Sequence, residues 1–138
     1  MLDKFNGITF LVIFIVHFAA YAFYAFKSVF KTKAFVDQYG MGDGSAIMTR
    51  FFGAFFIGSV LMALYIMFVR PPGLEGTWAF FNLVFLQNLS VFLVSLFANK
   101  KGSLGTNEKT SIEGNIAPAV LTILSALLIY GLSDKIYY

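Results

Sequence analysis

The stretch FFGAFFIGSVLMALYIMFV, residues 51–69, lies between Arg50 and Arg70 and contains no charged residue. An α-helix needs about 20 predominantly apolar residues to cross the roughly 30 Å of hydrocarbon in a bilayer. These 19 residues meet that requirement, and Ala46 is a plausible start for a helix that enters from the preceding loop. We therefore predict a transmembrane helix over about 46–69.

Working outward, three other charge-free intervals have the length of a membrane span, and they run from Lys4 to Lys27, from Glu75 to Lys100 and from Glu113 to Asp134. The run Phe10–Val16 is uniformly apolar, whereas strands of a membrane β-barrel alternate. Charged residues make up 12% of the chain, against about 25% in a typical soluble domain. The sequence predicts an all-α integral membrane protein, a single four-span domain over 1–138, whose helices form a bundle. The predicted spans are about 6–26, 46–69, 77–98 and 115–133.

The lysines and arginines divide unequally between the two sides of such a bundle. Seven lie in the first and third loops, namely Lys27, Lys31, Lys33, Arg50, Lys100, Lys101 and Lys109. Three lie on the other side, namely Lys4, Arg70 and Lys135. Cytoplasmic loops carry the excess of positive charge, so we expect a multi-pass protein with both termini on the non-cytoplasmic side.

The first loop begins with VFKTKAFV, residues 29–36, which mixes lysines with apolar side chains. That mixture is typical of a short helix lying at the headgroup layer. We expect Lys31, Lys33 and Arg50 to contact lipid headgroups. For Arg50, an ion pair with Asp37 or Asp43 is the alternative.

His17 is the chain's single histidine and lies near the middle of the first span. Ionisable residues inside a membrane are costly and indicate function by default. His17 is therefore a candidate ligand of a haem or chlorophyll-type pigment, a proton relay, or a hydrogen-bond partner of a quinone. The alternative is a neutral imidazole packed against a backbone carbonyl or a neighbouring Ser, Asn or Tyr. The chain has no cysteine, which excludes disulfides, thiolate metal sites and cysteine nucleophiles.

The third span is the most polar. Asn88, Ser95 and Asn99 fall within about 40° of one another on a helix, whereas Gln87 and Asn82 point elsewhere. Such a stripe suits a transport pathway or a polar ligand. Side-chain amides in membranes more often join helices, at about 0.6 kcal/mol per hydrogen bond, and we favour that interpretation.

The second span carries two pairs of small residues four positions apart, Ala54 with Gly58 and Ser59 with Ala63. Small residues at this spacing let another helix backbone approach closely. They predict a helix-packing seam.

The order Arg50-Phe51-Phe52-Gly53-Ala54-Phe55-Phe56-Ile57-Gly58 resembles a pattern in DoxX-like four-helix membrane proteins. The stretch Gly40–Ser45 and the chain length are similar to that group as well. The resemblance would allow a subunit associated with a quinone-linked oxidoreductase. The membrane-associated proteins of eicosanoid and glutathione metabolism share the size and span count. Their arginine, however, is followed by an asparagine and a glutamate that help bind glutathione, and here no acid follows Arg50 before Glu75.

Three functions are compatible with these patterns. The leading hypothesis is a non-catalytic integral membrane subunit of a larger complex or homo-oligomer, which packs against and stabilises partner helices. Its expected partners are the lipid bilayer, other membrane subunits or copies of itself. We expect no catalytic residues, no metal site and no nucleic-acid partner. The second hypothesis is a cofactor-binding subunit of a redox or light-harvesting assembly, with haem, pigment or quinone at His17. The third is a small oligomeric transporter or channel that uses the Asn88 stripe.

Overall fold

The fold is taken from a computed structural model that describes residues 1–70 and 73–138. Over these residues the chain is helical and contains no strand. Its helices are α1 (Ile8–Phe30), α2 (Thr32–Gln38), α3 (Ala46–Leu64), α4 (Trp78–Ala98), α5 (Glu113–Gly131) and α6 (Ser133–Ile136). A 3-10 turn, Asp43–Ser45, leads into α3, and a π-helical turn, Tyr65–Val69, continues it.

Four of these helices are long and apolar enough to cross a membrane: α1, α3 with its flanking turns, α4 and α5. This confirms the predicted four-helix membrane bundle and the short helix in the first loop. The first span ends at Phe30 rather than near residue 26. Lys27 does not stop the helix, because its long side chain carries the ammonium to the Gln38 amide oxygen, 2.7 Å away.

The four long helices pack in the order α3, α1, α5, α4. α3 lies along α1, α5 lies along α4, and α1 and α5 meet in the middle. Glycine permits the closest approach on α3, because a Cβ on Gly53 would overlap the side chains of Ser28 and Val29. α1 and α4 meet through large side chains, such as Phe18 and Phe80, whose ring centroids are 5.6 Å apart.

The core is concentrated at one end of the bundle, which we call the closed end. It contains the N-terminal turn Asp3–Phe5, the π-helical turn Tyr65–Val69, residues 73–77 and α6. Its fully buried side chains are Phe5, Phe14, Ile66, Leu74, Leu132 and Ile136. Lys4 Nζ donates hydrogen bonds to the carbonyl oxygens of Ile66 and Arg70, which the end of the helix leaves without intrahelical partners. Burial lowers the pKa of Lys4 below its ordinary value of 10.5, and the charge of Arg70 lowers it further.

The outer surface of the bundle is strongly apolar. The side chains of Phe55 and Phe97 are each 75% exposed, and large aliphatic side chains on every long helix are about half exposed. A soluble protein rarely exposes such contiguous apolar surface. These faces suit contact with bilayer hydrocarbon, and the chain is a multi-pass membrane protein.

Candidate functional site: a groove between α3 and α4

A groove opens between α3 and α4, the two outer helices of the row, which hardly touch each other. Its cavity volume is about 1000 Å³. Along α4 it extends from Leu83 to Asn99, which at 1.5 Å per residue is about 24 Å. α1 and α5 form its floor. The third loop, through Leu104–Thr106 and Thr110, lines the end opposite the closed end, which we call the open end.

The walls of the groove are mostly apolar. α3 contributes Phe52, Phe55 and Phe56, and α4 contributes Leu83, Leu86 and Val91. The ring of Phe56 packs edge-on against Phe52 and against Tyr21, at centroid distances of 4.9 and 4.6 Å. Ligand sites in proteins are typically concave, largely apolar and fitted with a few polar groups. The groove has that composition.

Asn88 provides the polar centre of the floor. Its Oδ1 accepts a hydrogen bond from the Tyr21 hydroxyl at 2.6 Å. Its Nδ2 lies 2.9 Å from His17 Nε2 and 3.3 Å from both the Leu121 carbonyl oxygen and Ser125 Oγ. One amide therefore ties α4 to α1 and to α5. Asn88 and Tyr21 line the groove, whereas His17 does not.

His17 is completely buried behind these two residues. Because Asn88 Nδ2 can only donate, His17 Nε2 accepts, and this bonding pattern assigns the ring proton to Nδ1. Nδ1 has no hydrogen-bond partner among the described residues. An axial haem or pigment ligand needs a ring nitrogen with a free lone pair facing the cofactor. In this bonding pattern the Nε2 lone pair is directed at Asn88, inside the bundle, and a haem, pigment or quinone at His17 stays a prediction.

The open end of the groove contains a carboxylate with two phenols. Glu113, the first residue of α5, accepts hydrogen bonds from Tyr24 of α1 at 2.7 Å and from Tyr39 at 2.9 Å. Burial, together with the bond to Glu113, raises the pKa of Tyr39 to about 12. Tyr39 is thus a protonated donor at neutral pH.

The other polar residues of the third span that the sequence analysis named lie in different places. Gln87 lines the groove and makes none of the side-chain hydrogen bonds found in the described residues. Asn99 also lines it, and its Nδ2 donates to Asn115 Oδ1 at 2.9 Å. Ser95 is buried and donates to the Phe92 carbonyl oxygen within its own helix. Asn82, near the closed end, bonds the Tyr137 hydroxyl at 2.9 Å.

The small residues of α3 have different environments. Ser59 lines the groove and Ala63 is buried in the core. Ala54 and Gly58 are exposed on the outer surface, where a Cβ on Gly58 would meet nothing within 4 Å. The four small residues therefore do not form one continuous packing surface within this chain.

The basic residues of the first loop lie near α2. Lys33 Nζ is 2.7 Å from Asp37 Oδ1 and 2.9 Å from Asp43 Oδ1, and these bonds raise its pKa above the ordinary value. The ion pair considered for Arg50 is therefore made by Lys33, and Arg50 Nε donates instead to Thr32 Oγ1 at 3.2 Å. Lys31 is exposed at the break between α1 and α2.

Sequence reasoning missed the group formed by Tyr24, Tyr39 and Glu113, because these residues come from three distant segments. The one available signal was Glu113 itself, a lone acid at the edge of a charge-free interval. Within residues 1–70 and 73–138, no cluster of three or more His, Asp or Glu side chains could hold a metal ion. Comparison with protein-family models, with curated proteins and with solved structures gives no match. The likeness of residues 50–58 to DoxX-like proteins stays a prediction.

Proposed function

We propose that this chain is a non-catalytic membrane subunit that binds an amphipathic molecule of the bilayer in the groove between α3 and α4. The observation that carries the proposal is the groove itself: about 1000 Å³ of space, apolar along its walls, with polar groups at Asn88 on its floor and at Glu113 at its open end. This division matches a ligand with an apolar body and one polar head.

The length of the groove suits a chain-like ligand. The groove is about 24 Å long, which exceeds the roughly 15 Å of hydrocarbon in one bilayer leaflet. It is therefore long enough for an extended acyl or isoprenoid chain. With the orientation that the lysine and arginine count favours, the Glu113 end faces the cytoplasm.

The proposal is tested by identifying what co-purifies with the protein. The protein is extracted in a mild non-ionic detergent, its native mass is measured, and bound lipids are identified by mass spectrometry. Val91→Trp places a large side chain inside the groove, on a residue that is 39% exposed. Leu96→Trp is the matched control, because Leu96 is 46% exposed on α4 but does not line the groove.

We expect a stoichiometric amphiphile on the native chain and on Leu96→Trp, and a loss of at least about tenfold in occupancy on Val91→Trp, since the indole fills the space that the ligand needs. Equal occupancy in all three proteins would contradict a groove site. So would native protein that carries only a diffuse mixture of lipids.

A second candidate function is packing against partner helices in a complex or homo-oligomer. It is supported by Ala54 and Gly58, a small pair four residues apart that is exposed on α3. The same native-mass measurement tests it, because an oligomer or a complex gives a mass well above that of one 15.4 kDa chain. A single-copy mass in several mild detergents would reject it while leaving the groove proposal intact.

A further inference from the structure

Among the residues that the structure describes, Glu113 is the one charged residue that lines the groove. Three cations at this end of the bundle have contacts elsewhere. Lys33 of α2 pairs with Asp37 and Asp43. Lys27 of α1 bonds the Gln38 amide oxygen and lies 5.9 Å from the centre of the Phe35 ring, and Lys109 of the third loop bonds the Asp37 carbonyl oxygen. Glu113 is in neither of the ion pairs of the described chain. The open end of the groove therefore carries a formal negative charge with no cation among its lining residues.

The two phenols next to Glu113 have used their only hydrogens. Tyr24 donates to Oε1 and Tyr39 donates to Oε2. A phenol has one hydrogen to donate, and a carboxylate has none. The cluster thus offers only hydrogen-bond acceptors to a ligand: the oxygens of the two phenols and the unused lone pairs of the carboxylate. A head group that only accepts hydrogen bonds finds no donor among these three side chains.

A protonated amine complements such a cluster better than other head groups do. An ammonium carries three N–H donors and a positive charge, and hydrogen bonds between ionised partners are roughly twice as strong as neutral ones. An alcohol supplies one donor without the charge, and a quaternary ammonium supplies the charge without a donor. A carboxylate or phosphate head group that lacks an ammonium would be repelled by Glu113.

We infer that the groove selects an amphiphile with a protonated amine head, whose N–H groups bond Glu113, Tyr24 and Tyr39 while its hydrocarbon chain lies along Phe52, Phe56 and Val91. This inference rests on the function proposed above and names the ligand class of the same groove. A single-chain amine and an ethanolamine phospholipid share this chemistry, and the experiment separates the two sources.

The test uses probes that share one chain and differ in the head. Hexadecylamine, hexadecyltrimethylammonium and hexadecanol are titrated into the full-length protein in neutral detergent, and binding is read by native mass spectrometry. The proteins compared are the native chain, Glu113→Gln, Tyr39→Phe and the groove-filling Val91→Trp. Glu108→Gln is the matched control, because Glu108 is an exposed acid of the third loop, five residues before Glu113, and does not line the groove. Circular dichroism checks that each variant keeps its helix content.

We expect the native chain and Glu108→Gln to bind hexadecylamine at least tenfold more tightly than the other two probes. Glu113→Gln keeps one oxygen, which can accept from one of the two phenols, replaces the other oxygen with an NH2 donor and removes the charge. It should therefore lose about tenfold in affinity for hexadecylamine and nothing for hexadecanol. Tyr39→Phe should lose about threefold.

A phospholipid competition then identifies the source. Displacement of hexadecylamine by a phosphatidylethanolamine but not by the phosphatidylcholine of the same chains indicates an aminophospholipid, and displacement by neither indicates a single-chain amine. Equal displacement by both would overturn the inference.

Two results separate this inference from the function on which it rests. If all three probes bind equally, are unaffected by Glu113→Gln and are blocked by Val91→Trp, the amine selectivity is wrong and the groove remains the binding site. If no probe binds, or if Val91→Trp has no effect on binding, the groove is not a ligand site and both proposals fail.

Discussion

The closed end of the bundle and the groove contain similar aromatic side chains, but these are packed in the first and exposed in the second. At the closed end the rings of Phe5 and Phe14 are 4.8 Å apart and both are buried. In the wall of the groove, Phe55 is 75% exposed beside a cavity of about 1000 Å³. The difference lies in the segments outside the long helices: the N-terminal turn Asp3–Phe5, residues 73–77 and α6 fold into the closed end, whereas α2 and the third loop stand beside the groove. Aromatic content therefore does not determine which part of this bundle packs.

The largest effect should come from emptying the closed end. Phe14→Ala removes a ring that is 1% exposed, and we expect the free energy of unfolding to fall by about 3 kcal/mol, the lower end of the range for buried Phe→Ala. Phe55→Ala should change it by less than about 0.5 kcal/mol, because lipid replaces the lost ring. Thermal melting followed by circular dichroism in detergent compares the two. Equal losses would mean that the groove end is packed in the membrane.

An intermediate effect should come from the amide at the floor of the groove. Asn88→Leu leaves the Tyr21 hydroxyl and His17 Nε2 without a partner, and we expect a loss of about 2 kcal/mol. Gln87→Leu is the matched control on the adjacent residue, which lines the groove and whose side chain bonds none of the residues that the structure describes. The same melting experiment measures both. Indistinguishable variants would show that the Asn88 network contributes little to stability.

The smallest effect concerns the phenol at the open end. The pKa of Tyr39 is raised from an ordinary value of 10.0 to about 12, so the folded chain holds this proton more firmly than the unfolded chain. Its stabilising contribution is complete below pH 10 and is lost as the pH rises through about 12. Tyr39→Phe should lower stability at pH 8 by less than about 1 kcal/mol, and the gap from the native chain should close by pH 11.5. A gap that stays constant with pH would contradict the assigned bond to Glu113.

The sequence predicted the features that depend on local composition. Charge-free intervals located all four long helices, because hydrocarbon admits few charges, and the lysine-rich start of the first loop predicted α2. The end of α1 was placed too early, since the flexible side chain of Lys27 lets a helix continue past a charge.

The arrangement of the helices relative to one another could not be predicted in this way. Periodicity assigns Asn88 to a helix face, but the identity of its partners His17 and Tyr21 depends on which helix lies opposite. The same applies to Glu113, whose two phenol partners come from α1 and from the segment after α2. The pair Ala54 and Gly58 is exposed in this chain, and its packing against another helix stays a prediction.

The gap between α3 and α4 also determines by which route the groove is reached. In the proposed function the long side of the groove faces hydrocarbon, and an amphiphile would therefore reach it by diffusing sideways within the membrane without passing through water. Such molecules are strongly concentrated in lipid, and occupancy depends on that local concentration relative to the dissociation constant. Modest intrinsic affinity is therefore sufficient to fill this site, and selection rests on the few polar contacts that lipid cannot supply.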